Sequence, residues 1–347
     1  MNSSDTNFPS NNDYQLVADD LIRLLEIVFV IPINCFVSLT GMLANILNVM
    51  ILARLGFKQT MSYGTMALSV TDLTVSSLQL TSEICYILSY ILEDSEIDFM
   101  SIGLFPVGWL RYAALYISGW ITALIAMERC FCVVFPFTVK QICNKTIYAV
   151  VLLVIYSVYL GFVIPIIIAD RLSWYQVSDS SVSNSTQKYK LTVILNDIDI
   201  RLQKLFDSVC VFGFALFSQI ILLVSTLYMA YALKGSSKIR NTYSNSKDPN
   251  ETKQILSFMS LKERKLIVVA IRLAVVVLAC SVPRYIVIGV FAIVPTLQAP
   301  ENLSFACFLY DVSDMFINAN CFCTFFVYAS VNKNFKTIFK TYFNFLL

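Results

Sequence analysis

The chain has 347 residues, of which 57% are hydrophobic and only 14% charged, and its formal net charge is +2. With a mean hydropathy of +0.71, it carries more apolar surface than a soluble domain can hide, so the composition points to a membrane protein. The small net charge offers no electrostatic footprint for nucleic acid, and the absence of histidine removes the commonest general base and metal ligand.

The first 26 residues are polar and mildly acidic, without the basic start and short apolar core of a cleaved signal peptide, so the first apolar segment is expected to act as its own insertion signal. Crossing a bilayer takes roughly 20 apolar residues. Seven segments meet that length: 27–54, 63–91, 107–134, 146–168, 205–233, 264–294 and 303–328. None shows barrel-like alternation, so the expected fold class is an all-α membrane protein, a seven-helix bundle. The expected organisation is an extracellular tail at 1–26, the bundle at 27–328, and a cytoplasmic helix and tail at 329–347.

Lysine and arginine set the direction. With the N-terminus outside, the inner segments hold Arg54, Lys58, Lys140, Lys145, a cluster from Lys234 to Lys265, and Lys333, Lys336 and Lys340. That excess matches the positive-inside rule. Asn2, Asn184 and Asn302 head glycosylation sequons on the outer side, while Asn144 and Asn250 match the same pattern on the inner side. The inner segment 234–263 is polar and suited to docking and phosphorylation. None of the ten cysteines falls in a C-x-x-C spacing, and most lie in apolar segments, where a thiol packs as a small hydrophobe.

Charges inside apolar spans are costly and by default mark function. Glu83, Arg111, Arg284 and Asp314 lie toward the outer ends of their spans, and Asp72 lies in the middle of the second. Glu128 and Arg129 close the third span on its inner side, and Glu263 lies about five and a half turns from Pro283 on the sixth. Arg272, inside the sixth span, either snorkels or meets a partner near Tyr228.

The stretch "MERCFCVVFP" resembles the acid–Arg–aromatic motif of rhodopsin-like G-protein-coupled receptors, with its proline seven residues on. "GMLANILNV" supplies the matching asparagine, Asn45, and "LSVTDL" the matching aspartate, Asp72. "VPR" places Pro283 in the sixth span, and "FFVYASVNKNFK" places Tyr328 at the end of the seventh. The wording is most similar to invertebrate chemosensory and FMRFamide-type peptide receptors. The resemblance covers nearly the whole chain and rests on motif order and spacing.

That resemblance implies a plasma-membrane receptor, not an enzyme, that couples an extracellular ligand to a heterotrimeric G protein. At rest Arg129 would pair with Glu128 and Glu263. On activation the sixth span would swing about Pro283, with Tyr328 turning in to hold Arg129. Asn45, Asp72, Ser118 and Asn320 would form a polar pocket able to hold a sodium ion, against the alternative of an ordinary hydrogen-bond network; no other cofactor is expected. By alignment Glu83, Arg111, Arg284 and Asp314 would face one outer cavity, lined also by Tyr116, Ser281, Tyr285 and Tyr310. Two readings compete there. The arginines clamp an anionic group while Glu83 or Asp314 receives a cationic end, as suits a zwitterion or short peptide; or the four charges neutralise one another.

Departures from the family are specific. Ser281 stands for the sixth-span tryptophan, Thr324-Phe325 for the seventh-span Asn-Pro, Tyr156 for the fourth-span tryptophan, and Leu104 for the cysteine heading the third span. The fifth span has no proline, and residues 169–204 have no cysteine, so both halves of the family's outer disulfide are missing and the outer loop must be held otherwise or move. After the seventh span, Phe335, Phe339 and Phe343 make one apolar face, with Lys333, Lys336 and Lys340 toward anionic membrane lipids. A retinal Schiff base is excluded because the seventh span has no lysine. A histidine-free chain is equally poor in ligands for a zinc hydrolase. The competing readings are a seven-span transporter or a ligand-gated channel of opposite orientation.

Overall fold

The computed structural model describes residues 19–56, 60–135, 144–177, 188–194, 196–244, 261–298, 302–331 and 333–346. Among the described residues seven long helices cover the predicted segments, three of them starting eight residues earlier than the segments 27–54, 107–134 and 205–233. They are α1 (Asp19–Leu55), α2 (Thr60–Ile91), α3 (Phe99–Val134), α4 (Lys145–Ala169), α5, α6 (Leu261–Ile293) and α7 (Leu303–Val331). The fifth, α5, starts as Asp197–Phe206 and runs through a π-helical stretch, Asp207–Ala215, into Leu216–Ser244. A final helix, α8, covers Lys333–Leu346.

Five of these helices, α1, α3, α4, α5 and α6, are long and apolar enough to cross a membrane, and the chain is an all-α, multi-pass membrane protein. The other two are long but more polar, for a visible reason. Ser69, Asp72, Ser76, Gln79 and Glu83 form a buried polar stripe along α2, and Ser313, Asp314, Asn318 and Thr324 do the same on α7. Outward faces are apolar: Phe36 is 69% exposed, Leu227 61% and Ile168 72%. Polar groups inside with bare hydrocarbon outside is what a hydrocarbon solvent selects.

The core gathers around α3. Ile117, Ile121 and Ile125 pack with Tyr159, Val163 and Ile166 of α4, Leu273 of α6 and Tyr328 of α7. Between α1 and α2 the approach is close. A Cβ on Gly41 would lie 2.6 Å from Ser76 Oγ, so a small residue is needed there. Pro283 sits inside the continuous helix α6. Arg272 finds Ser330 of α7, with Nη1 donating to Oγ at 2.7 Å, a partner the sequence did not suggest.

Three π-helical turns interrupt the α ladder: Glu26–Val30 in α1, Gly103–Val107 in α3 and Asp207–Ala215 in α5. The second contains Pro106, whose missing N–H and ring suit a widened turn. All three lie at the same end of the bundle and supply residues to one cavity, among them Glu26, Leu104 and Val211.

The long loop after α4 is an antiparallel hairpin, β1 (Arg171–Val177) with β2 (Lys188–Ile194), in the register Trp174 opposite Leu191. It is tied to the start of α3 by hydrogen bonds. Leu191 N–H donates to Glu96 O at 2.6 Å and Asp98 N–H donates to Leu191 O at 2.9 Å. Asp98 also caps α3 and accepts from the hydroxyls of Ser101 and Thr192, each at 2.7 Å. The loop is therefore fastened near the place where the family's disulfide would sit by hydrogen bonds, residues 169–204 having no cysteine. Partial burial pushes the Asp98 carboxyl up, but bonds from Ser101 and Thr192 and the charge of Lys190 outweigh it and hold the acid below its usual value. The tie is therefore complete above the ordinary aspartate range and fails as pH falls through the lowered value. Asp98→Ala is expected to speed amide exchange at Leu191 about tenfold or more, while exchange in the middle of α3 stays unchanged.

A second acidic site lies where α4 ends and α5 begins. Asp170 and Asp199 are both buried, and Asp199 closes a capping box by accepting from the Asn196 backbone. Burial first, and then repulsion by Asp199, push the Asp170 carboxyl up to about 6, with Gln203 opposing in part. A raised acid penalises the folded state while ionised, so thermal stability should rise as pH falls from 7.5 through 6. Asp170→Asn should flatten that slope and raise the midpoint at pH 7.5 by about 1–2 °C, read by thermal unfolding in detergent.

Among the C-terminal aromatics, Phe335 is fully buried against Phe325 and Tyr328, and Phe339 packs on Phe325. Part of the face expected to meet lipid is therefore turned onto the bundle, while Lys336 and Lys340 remain exposed. The side chains of Lys333 and Phe343 lie outside the described residues, as do Asn2, Asn184, Asn250, Lys58 and Lys140.

Candidate functional site

At the hairpin end the bundle opens into a cavity of about 830 Å³. Its walls include Tyr86 from α2, Trp109 and Tyr116 from α3, Phe206 from α5, Arg284 from α6 and Asp311 from α7. Tyr116 and Tyr310 line it as the sequence led one to expect. Ser281 and Tyr285 instead line a smaller space of about 50 Å³ beneath, shared with Tyr116, Arg284 and Asn320.

The four intramembrane charges do not all face this cavity. Asp314 lies between the two arginines, Oδ2 at 2.8 Å from Arg111 Nη2 and Oδ1 at 3.0 Å from Arg284 Nη1. Tyr112 donates its hydroxyl to Asp314 Oδ2 at 3.2 Å. Arg111 also donates to Gln79 Oε1, and Gln79 Nε2 donates to Glu83 Oε1 at 2.6 Å. Arg111 lies over the Tyr112 ring at 4.4 Å and Arg284 over Tyr310 at 4.3 Å. Arg111 and Glu83 open onto a separate cleft of about 70 Å³ beside α1, and of the four only Arg284 reaches the main cavity.

Of the two arrangements the sequence left open, this geometry is the one in which the charges neutralise one another. The arginine donors are directed at Asp314 and Gln79, and Asp314, 2% exposed, is enclosed by its partners. A charged network in low dielectric is tolerable only when its members pair in this way. The result is a knot joining α2, α3, α6 and α7 at one depth. Gln79 and Asp311 were missed from the sequence. Gln79 stands four residues before Glu83, on the same helix face, and Asp311 stands three before Asp314.

In the middle of the bundle Ser118 donates to Asp72 Oδ1 at 2.5 Å and Thr324 donates to Oδ2 at 3.3 Å. Asn45 instead ties α1 to α7, donating to Cys321 O at 2.8 Å and Gly41 O at 3.0 Å. Asn320 lines the small space below the cavity. Only Ser118 of the expected sodium set thus bonds to Asp72, and Thr324, a departure from the family, takes a place beside it.

At the opposite end Arg129 Nη2 bonds Glu128 Oε1 at 2.5 Å, with both residues buried. Tyr328 is buried nearby in the core, tilted against Phe335. Glu263 lies on the first turn of α6, and its side chain is outside the described residues. Compared with models of protein families and with curated proteins, the chain matches none.

Proposed function

We propose that the chain is a plasma-membrane receptor with seven spans and an extracellular N-terminus, turning ligand arrival in the hairpin-end cavity into activation of a heterotrimeric G protein. The observation that carries this reading is the position of the Asp314 knot. It reaches the open cavity through Arg284 and Tyr112 and ties α6 to α3 and α7 through Arg284, the residue directly after Pro283. A ligand pressing on Arg284 acts on α6 at its weakest point, where the proline removes one backbone hydrogen bond. A small rotation there becomes a larger displacement about five turns away, near Glu128 and Arg129, where a partner protein would dock. Lysine and arginine excess on the α8 side sets the orientation.

Support also comes from polar residues running through the centre of the bundle, from the knot to Asp72 and on to Arg129, in helices that are otherwise apolar. Such a column gives helices discrete alternative pairings, which a switch requires. The test is a nucleotide-exchange and second-messenger screen in cells expressing the chain, against amines, amino acids, amidated peptides and odorants. An epitope at the N-terminus reports orientation in the same cells. Silence across the panel, with the epitope exposed outside, or an epitope found in the cytosol, overturns the receptor reading. Uptake of a labelled panel compound without any exchange favours a transporter.

A further inference from the structure

We infer that the hairpin-end cavity takes an organic cation, an amine on an aromatic or apolar body, with Asp311 as its counter-charge. The inference rests on the receptor reading above for what binding does, but not for the binding itself. Its basis is the distribution of charge once the knot is accounted for. Four carboxylates line the cavity, Asp19, Glu26, Asp207 and Asp311, against two guanidiniums, Arg23 and Arg284. Both cations are already engaged. Arg284 is bonded to Asp314 and stacked on Tyr310, and Arg23 reaches Glu93 at 3.4 Å and lies over Tyr90 at 4.9 Å. The cavity is therefore lined by more acidic than basic groups, and both of its basic side chains already have partners.

Asp311 is the carboxylate best placed to use that excess. It is half-buried, one turn of α7 from Asp314, and among the described residues no hydrogen bond or ion pair reaches its oxygens. Arg111, the cation that acts on it through space, is bonded to Asp314 and Gln79. A carboxylate at this depth in an apolar bundle gains strongly from a positive partner. The same cavity is lined by Tyr86, Trp109, Tyr116 and Phe206, whose rings suit the apolar part of a ligand and whose faces attract cations. The volume admits a drug-sized molecule. An anionic ligand would meet four carboxyl groups and two arginines that already have partners, an arrangement that does not favour the clamp, one of the two readings the sequence left open.

The test uses the full chain purified in detergent, with thermal unfolding as readout. The probes are 2-phenylethylamine, tryptamine and spermidine, against 3-phenylpropionate and 2-phenylethanol. The expected result is a concentration-dependent rise in midpoint with at least one amine and none with the carboxylate or alcohol. Asp311→Asn should keep the ligand-free midpoint and weaken the amine effect about tenfold or more, and Asp311→Glu should restore part of it. Equal shifts with amine and carboxylate, or no shift with any cation, overturn the inference. So does an unchanged amine effect in Asp311→Asn. Should that variant fail to fold, the wild-type comparison of amine with carboxylate decides. Amine binding through Asp311 with no amine-driven nucleotide exchange sinks the receptor reading and leaves the cation site standing. Exchange driven through this cavity by an anion does the opposite.

Discussion

Asp314→Ala should lose nearly all folded protein from the cell surface. The substitution leaves two guanidiniums, Arg111 and Arg284, buried without their shared carboxylate. Removing one member of a buried ionic network costs about 3–5 kcal/mol, because the remaining charge is stranded in low dielectric. That is a large share of the stability of an ordinary domain. Gln79 and Glu83 can absorb part of the strain on Arg111, while Arg284 is left with neutral hydrogen-bonding neighbours, among them the Ser313 hydroxyl at 3.5 Å. The measurement is surface expression together with the unfolding midpoint in detergent. The control is removal of the whole knot: Arg111→Met, Arg284→Met and Asp314→Leu together should recover much of the lost stability, since a well-packed apolar set often equals a buried ion cluster. A single Asp314→Ala with wild-type midpoint would show that the three charges are solvated and not a structural unit.

Glu128→Gln should raise ligand-free G-protein nucleotide exchange several-fold. The Glu128 carboxylate holds Arg129 at 2.5 Å within the third helix, with both groups buried. In the receptor reading Arg129 must leave this partner to meet the G protein, so the pair stabilises the resting state alone. A hydrogen bond to a charged group contributes about 1.5–3 kcal/mol. An equilibrium biased by that amount shifts about ten- to a hundredfold, and the observed rise is smaller because Gln keeps one hydrogen bond. Exchange measured on membranes at matched surface expression decides it. Unchanged exchange in Glu128→Gln, with Arg129→Ala equally silent, would remove the latch from the mechanism. Glu263→Gln belongs in the same series, as the second acid the sequence offers to Arg129.

What could be read from the chain alone follows from how each feature is encoded. The apolar centres of the helices were legible, as in 146–168 against Lys145–Ala169 and 303–328 against Leu303–Val331, while the early starts of Asp19–Leu55, Phe99–Val134 and Asp197–Phe206 were not. An apolar run of that length must satisfy its own backbone in hydrocarbon and has one way to do so. The adjacent Glu128 and Arg129 were legible as a pair because neighbours on a chain need no fold to meet. Asp72 announced itself as a buried acid needing partners, and Ser118 proved to be one of them.

The partners of the outer charges were not legible. Glu83, Arg111, Arg284 and Asp314 were each visible as costly charges, but two arrangements fitted the same residues: a clamp open to a ligand or a closed knot. Choosing between them depends on rotation of α3, α6 and α7 about their axes and on side-chain reach, neither of which apolar periodicity records. The same holds for Asn45, matched by motif to a pocket with Asp72 and found bonded to the backbone of α7. The hairpin's attachment to the start of α3 uses backbone groups of Glu96, Asp98 and Leu191, and any sequence carries those.

The sequence by itself determined that this is a helical protein of the membrane, where the apolar centres of its helices lie, and which charges would have to find partners. Hydrophobicity and length decide those matters segment by segment. Only the tertiary structure decided that Asp314 takes both arginines and that Asp311 is left facing the cavity. Pairing among four helices is a long-range choice, fixed by which faces meet once the bundle has closed.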